Sequence, residues 1–396
     1  MDKRRNPYTP GAGLRPRKLA GRDAELEHLE LVVDRLGHGA HERSLIASGL
    51  RGVGKTVLLL EFDAIAAERG WATSEVVEVG SQPDFRLTFA RMAARVLRAL
   101  SLKHRVKDRS RRALGVVGAF SLGVQVPGGW VGLHVEPAAG TADSGDPEED
   151  LAALLRAVGD VAAAARTGAL FLLDEMHNLD GPSLAAVCLS FQALAKLGLP
   201  VALVGAGLPD LPGRLFAAKP YADRLFAHRE LGRLRPPDAR AALVGPGALH
   251  GIEFDAQAVA AVVAESAGYP YFLQEYGREL WNFVDGSPVT ADDVATVREV
   301  VRESLARDFF GTRFGLATDA EQRYLAAMAA LGDPPYRTRS VAEAFGAADQ
   351  RAVSVQRDGL MKKGLIWSPR RALVDFTVPL FAEYVRGEHP LATFDE

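Results

Sequence analysis

"SLIASGLRGVGKTVLLLEFDAIAAERG", residues 44–70, decides the fold. Its centre, Gly49-Leu50-Arg51-Gly52-Val53-Gly54-Lys55-Thr56, fits the pattern G-x-x-x-x-G-K-[ST]. Upstream, Leu45-Ile46-Ala47 reads as a strand. Downstream, Val57 opens an apolar run that reads as a buried helix ending at Gly70. Glycines let the backbone curl so that successive N–H groups converge on an anion, and a helix starting near Lys55 aims its positive dipole end at the same point. Lys55 is expected to reach the β- and γ-phosphates of bound ATP or ADP, and the Thr56 hydroxyl to ligate Mg²⁺. Residues 49–57 are thus the expected nucleotide contacts. A glycine-rich turn that happens to carry a lysine is the alternative, and the strand-before, helix-after context argues against it.

A loop of this kind needs a second strand that delivers a carboxylate. "GALFLLDEMHNL", residues 168–179, supplies four apolar residues running into Asp174 and Glu175, where a buried parallel strand would end. Asp174 is expected to hold the metal, and Glu175 to orient or deprotonate the attacking water. His177 either polarises Glu175 or faces solvent, and the sequence favours solvent. Strand-like runs at residues 74–81 and 200–207 alternate with helical stretches. That alternation implies an α/β fold: a parallel sheet wrapped by helices.

Bulk properties bound the rest. With 396 residues, 48% of them hydrophobic, the chain has room for two or three domains. A net charge of -3 points to no polyanionic partner for the whole molecule, so nucleic-acid contact would need a local basic face. The single cysteine, Cys188, excludes an internal disulfide and a cysteine-built metal site. The start has no apolar core after its basic residues, and no apolar run approaches the roughly 20 residues that span a bilayer. The expectation is a soluble, cytoplasmic protein with no membrane partner.

Further segments resemble AAA+-type P-loop ATPases of the branch that includes archaeal origin-recognition initiators and STAND signalling ATPases. The nearest resemblance is to actinobacterial ATP-binding proteins with a C-terminal winged helix, and it covers roughly residues 5–385. "LAGRDAEL", residues 19–26, is similar to a Gly-Arg box ahead of the loop, which implies that Gly21 and Arg22 lie near the adenine. "AGYPYFLQEYGRELW", residues 267–281, is similar to the Gly-x-Pro segment of a helical lid, which implies that Pro270 approaches the nucleotide. "LRPPDARAAL" resembles the start of that lid.

Two departures from the family pattern imply slow hydrolysis. Gly205, Ala206 and Gly207 stand where relatives carry a polar sensor, and Tyr271 stands where initiators often have an arginine. Positive charge at the transferring phosphoryl group can contribute several powers of ten. The resemblance implies homo-oligomers in which a neighbour supplies an arginine. Arg224 is the first choice and Arg214 the second, and the alternative for Arg224 is an ion pair with Asp223 or another acid.

A third departure is a presumed insertion at residues 113–142, next to the basic run "SLKHRVKDRSRRALG". "VVGAFSLGVQVPGGWVGLHVEP" reads as a β-hairpin around Pro127-Gly128-Gly129, and an acidic loop then caps a helix through residues 146–149. Trp130 beside six basic residues suits a partner or nucleic-acid surface, while a solvated surface loop is the plainer alternative.

Residues 337–385 read helix, turn, helix, strand, turn, strand, helix, which resembles a winged helix-turn-helix. Between residues 334 and 371, eight bases face Glu343, Asp349 and Asp358, so eight minus three leaves five positive charges. Arg351, Ser354 and Arg357 are expected on one face of a helix over residues 350–363, with Arg370 and Arg371 at the wing turn; these five are the candidate DNA contacts. A protein-docking module is the alternative. The expected domains are a nucleotide-binding segment (1–232), a helical lid (233–312) and a winged helix (313–396). The expected function is an ATP-hydrolysing switch coupled to DNA or a protein partner, with a non-hydrolysing, nucleotide-held adaptor as the alternative.

Overall fold

The computed structural model describes residues 1–11, 13–80, 85–103, 106–121 and 137–394. The chain divides into two compact units. One comprises Arg22–Ser48 and Lys55–Glu230; the other comprises Met1–Gly21, Gly49–Gly54 and Leu231–Glu396. The first 21 residues and the loop at 49–54 belong to the same unit as Leu231–Glu396.

The first unit runs α1 (Asp23–Gly37), β1 (Ser44–Gly49), α2 (Lys55–Glu68), β2 (Ala72–Glu78), α3 (Phe85–Lys103) and α4 (Lys107–Phe120). It continues with α5 (Pro147–Ala164), β3 (Ala169–Asp174), α6 (Gly181–Leu197), β4 (Val201–Gly207), α7 (Leu211–Ala218), the single turn α8 (Ala222–Leu225) and β5 (Phe226–Leu231). The strands form one sheet in the order β2-β3-β4-β1-β5, and β2/β3, β3/β4 and β4/β1 pair in parallel. Every residue of β1, β3 and β4 is buried, as their near-continuous apolar sequence requires of strands covered on both faces. The two-residue period divides β3 cleanly. Ala169, Phe171 and Leu173 join a core with Phe89, Leu97, Leu154, Val158, Leu184 and Phe191, while Leu170 and Leu172 are buried on the other face.

Helix ends follow their local chemistry. The Asp146 carboxylate accepts the Glu148 N–H at 2.8 Å and opens α5, as expected. Asp180 accepts the Ser183 N–H at 2.9 Å at the start of α6, and Gly198, in the left-handed region, closes it. Cys188 is fully buried on α6. One expectation changes: Val116 to Phe120, read as the first hairpin strand, is the last turn of α4, with Val117 and Phe120 in the core. The tip of that hairpin and Trp130 lie outside the described residues.

The second unit contains α9 (Pro236–Ala248), α10 (Ala256–Glu265), α11 (Pro270–Phe283) and α12 (Ala291–Ser304). A π-helical segment (Leu305–Gly311) follows, then α13 (Thr312–Phe314), α14 (Asp319–Ala330), α15 (Thr338–Phe345), α16 (Ser354–Lys362) and α17 (Phe381–Glu388). Three short strands, β6 (Tyr336–Arg337), β7 (Ile366–Trp367) and β8 (Leu373–Phe376), form an antiparallel sheet in the order β6-β8-β7. Thr318 and Glu321 form a capping box at the start of α14.

The chain start is tied to α11. The Met1 amino group donates to the Val284 carbonyl at 3.0 Å, Trp281 Nε1 to the Asp2 carbonyl at 2.8 Å, and Asn6 Nδ2 to the Arg278 carbonyl at 3.1 Å. Tyr8 is buried, and its hydroxyl donates to the Leu243 carbonyl at 2.6 Å. Its ring occupies the space that a side chain at Gly277 would need: a Cβ there would lie 2.3 Å from Tyr8 Cδ1. Gly277→Ala is therefore expected to destabilise the protein by about 1–3 kcal/mol, through overpacking. In a Tyr8→Ala background the same substitution should cost close to nothing, because the clash partner is gone. Urea unfolding of the four proteins of this cycle checks the coupling.

Candidate nucleotide-binding site

Strand register sets the geometry. Ser48 pairs with Gly207, Leu173 with Gly205 and Glu78 with Asp174, so the carboxyl ends of β1, β3 and β4 finish level. Ligands of parallel sheets bind outside such ends. Helix α2 opens at Lys55, directly after Gly54. Gly52 (φ +83°) and Gly54 (φ +92°) both adopt the left-handed backbone that favours glycine. Lys55 is buried. One residue on, the Thr56 hydroxyl donates to Asp174 Oδ2 at 2.5 Å. Asp174 is 3% exposed, and its other oxygen accepts the Glu175 N–H at 2.8 Å. Val57 follows on α2, half-buried.

The Thr56–Asp174 pair suits Mg²⁺, which takes oxygen ligands, keeps several waters and is bound by one or two carboxylates together with substrate phosphates. A hydroxyl and a carboxylate already in contact provide such donors. Among the described residues no group of three or more His, Cys, Asp or Glu side chains forms a metal cage. An ion held here would therefore lean on water and phosphate oxygens, as Mg²⁺ does.

Glu175 stands in the left-handed region at φ 51°, between β3 and a single 3-10 turn (Met176–Asn178). A non-glycine residue there costs of order 1–3 kcal/mol, and such strain gathers at functional sites. His177 departs from the solvent-facing expectation, because it is buried. The Leu208 N–H donates to its Nδ1 at 3.3 Å, and its Nε2 lies 3.3 Å from Glu175 Oε2. An acceptor Nδ1 leaves the proton on Nε2, so the neutral ring donates to the Glu175 carboxylate.

The end of β4 explains this packing. A Cβ at Gly205 would lie 2.6 Å from the Met176 sulfur, and one at Gly207 would lie 2.8 Å from Leu211 Cδ2 and 3.4 Å from His177 Nδ1. Met176 and Leu211 fill the space that a polar side chain on β4 would occupy, with His177 alongside. Sequence reading registered the missing side chain but not what replaced it; the paired glycines were the available signal. Arg214 belongs to the same group. Its guanidinium donates to the His177 carbonyl and, at 2.6 Å, to the Leu179 carbonyl. Arg214 is thus committed within its own subunit, against its second-choice role as a trans-acting cation. Arg224, at the end of α8, has a side chain 82% exposed, with its Nε 3.8 Å from Asp223 Oδ1.

In the second unit, the loop residues 49–54 have neighbours of their own. A Cβ at Gly49 would lie 2.3 Å from the Leu231 carbonyl oxygen, so only glycine fits. Leu50 is half-buried and Val53 fully buried. The Arg51 N–H, expected to face phosphate, donates to the Thr377 carbonyl at 2.9 Å, and Arg51 Nε donates to the Gly364 carbonyl at 3.2 Å. Space above Gly52 is bounded by Tyr271 Cβ at 3.5 Å and Phe309 at 3.8 Å. Pro270 is the first residue of α11, and the Tyr271 ring beside it stacks on Phe309 with centroids 4.5 Å apart. Burial pushes the Tyr271 hydroxyl pKa up. Gly21 (φ +66°) packs against Asp238 of α9. Arg22, which opens the first unit, is buried at the start of α1.

The basic C-terminal residues fall into two sets. Arg339 pairs with Glu343 at 2.9 Å, Arg357 with Asp358 at 3.0 Å and Lys363 with Glu321 at 2.5 Å. Arg337, Arg351, Lys362, Arg370 and Arg371 are exposed and make no ion pair among the described residues. Arg351 is not on the helix face expected for it. Asp349 Oδ1 accepts the N–H groups of Arg351 at 2.8 Å and Ala352 at 3.1 Å, holding a turn there, and α16 begins only at Ser354. The Ser354 hydroxyl donates to the Arg351 carbonyl at 2.7 Å.

Residues 18–204 match the family model of the AAA ATPase domain, and residues 307–385 match that of a domain of unknown function. The first match spans the glycine-rich loop and the Asp174-Glu175 strand end. None of the curated proteins matches the chain. A solved Walker-type ATPase of Pyrococcus abyssi shares the fold: it aligns over 94% of this chain and 97% of its own at 15% identity, with a TM-score of 0.56. The Aeropyrum pernix Orc1 protein in complex with DNA aligns over 96% and 95% at 19% identity and a TM-score of 0.45. The RuvB Holliday junction branch migration motor of Thermotoga maritima aligns over 96% and 100% at 15% identity and 0.46. These two looser overlaps add nothing to the fold assignment.

The small sheet of the second unit carries a pH-sensitive group. Burial raises the Asp375 carboxyl to about 6, against the lesser, opposing effect of the Phe376 N–H. An unfolded aspartate titrates near 4, so between pH ~4 and ~6 the folded chain holds a proton that the unfolded chain has lost. Stability should fall as pH rises through that window and then level off. Asp375→Asn should flatten the window and raise stability at pH 7 by at most about 3 kcal/mol. Urea midpoints of both proteins at pH 4 and pH 7 check this.

Proposed function

We propose that the chain is a Mg²⁺-dependent ATPase working as a molecular switch. Nucleotide state in the Gly49–Thr56 loop would be coupled to DNA or a protein partner through a C-terminal winged helix. The observation that carries the reading is the 2.5 Å contact between Thr56 and the buried Asp174, with Glu175 next in the chain. In this reading Lys55 grips the β- and γ-phosphates, and Thr56 with Asp174 holds the ion. Bound Mg²⁺ would neutralise charge on the phosphates. Glu175 orients the attacking water and accepts its proton. Gly21, Arg22 and Pro270 border the nucleotide, and Arg224 of a neighbouring copy supplies a transition-state cation in a homo-oligomer. Its exposure leaves it available for that role.

Support for a winged helix comes from the order α14, β6, α15, α16, β7, β8. The candidate DNA surface is Arg351, Ser354, Arg357, Arg370 and Arg371. Arg351, Arg370 and Arg371 are unpaired and exposed, as a phosphate-facing surface requires. A second reading, a nucleotide-held adaptor with negligible turnover, is favoured by the bare β4 end at residues 205–207 and by Tyr271 on α11.

Lys55→Ala should abolish Mg²⁺-dependent ATP binding, and Glu175→Gln should retain binding while slowing turnover by roughly 10²–10⁴-fold. Equilibrium binding and single-turnover hydrolysis, each with and without DNA, separate the readings. Wild-type turnover at background, unmoved by Glu175→Gln, leaves the adaptor. In DNA titrations, replacing both Arg370 and Arg371 by Ala should weaken binding on every sequence and reduce the salt slope by about 2. An unchanged slope removes the wing from the interface.

A further inference from the structure

The buried imidazole of His177 has no part in holding phosphate or metal in the reading above, yet it is fixed from three sides. Its Nδ1 accepts the Leu208 N–H at 3.3 Å, its Nε2 lies 3.3 Å from Glu175 Oε2, and Arg214 grips its carbonyl oxygen. The ring sits against the bare backbone of Gly207, where a Cβ would lie 3.4 Å from Nδ1. A histidine anchored at one nitrogen has a single direction for the other. That direction is the carboxylate of a residue whose own backbone is held at φ 51°.

We propose that His177 is the positioning residue for Glu175. Anchored on the amide that follows β4, it fixes the facing of the carboxylate, and Arg214 fixes the turn that carries it. The role rests on Glu175 being the group that orients water. A catalytic carboxylate displaced by about 1 Å can lose roughly 10²-fold in rate, so a partner that fixes its facing matters to turnover rather than to binding. Gly205 then serves the reaction indirectly, by making room for Met176 in the turn that carries this ring.

Two isosteric substitutions divide the two bonds of the ring. An asparagine at 177 keeps an acceptor near the Nδ1 position, for Leu208, but does not reach Glu175. A glutamine places an N–H donor near the Nε2 position and reaches it. His177→Asn should lower kcat by roughly 10- to 100-fold, with KM and ATP affinity within about twofold of wild type. His177→Gln should restore kcat to within about fivefold. In a Glu175→Gln background, His177→Asn should have no further effect on turnover. Wild-type kcat in His177→Asn overturns the proposal. So does an equal fall in both variants with a matching loss of thermal stability, which marks the ring as structural. If Glu175→Gln itself leaves turnover unchanged, the underlying reading of Glu175 fails, and the outcome differs from either of these.

Discussion

The structure depends on satisfying a carboxylate that has almost no access to water. An unpaired buried charge costs several kcal/mol, so Asp174 is tolerable only because both of its oxygens are engaged, one by the Thr56 hydroxyl and one by the Glu175 amide. The first bond joins chain segments 118 residues apart. It also reaches across the sheet, since β4 lies between β3 and β1. That span requires the three strands to end level, which the parallel register provides. The tip of the middle strand, Gly205-Ala206-Gly207, is bare.

The same bareness has a chemical cost and a compensation. A strand end made of glycine and alanine cannot present a polar side chain to a phosphate. The vacated volume is taken by Met176 at Gly205 and by Leu211 at Gly207, with His177 alongside. Packing and polarity are therefore exchanged between two neighbouring strand ends rather than lost.

Most of this was legible in the sequence where the signal is local. The alternation of apolar strands and helices, the glycine spacing from Gly49 to Gly54, the Asp174-Glu175 strand end and the Thr318 capping box all depend on residues close in the chain. What escaped depends on residues far apart. The burial of His177 needs the bare tip of β4, some thirty residues on. Arg214 read as a candidate finger because its carbonyl partners at 177 and 179 are invisible from its own helix. The late start of α16 was in principle readable from Asp349, whose side chain competes with helix formation. The placement of Arg51 against Thr377 had no sequence signal at all.

The solitary cysteine has a practical consequence. Cys188 is enclosed in the core on α6, and burial pushes its thiol up to about 12, so at neutral pH it carries almost no thiolate. The native chain is therefore close to inert toward maleimides and other alkylating probes. A fluorophore or spin label can be placed at an added surface cysteine without first deleting the natural one, which makes either unit accessible to distance measurements in the unaltered core.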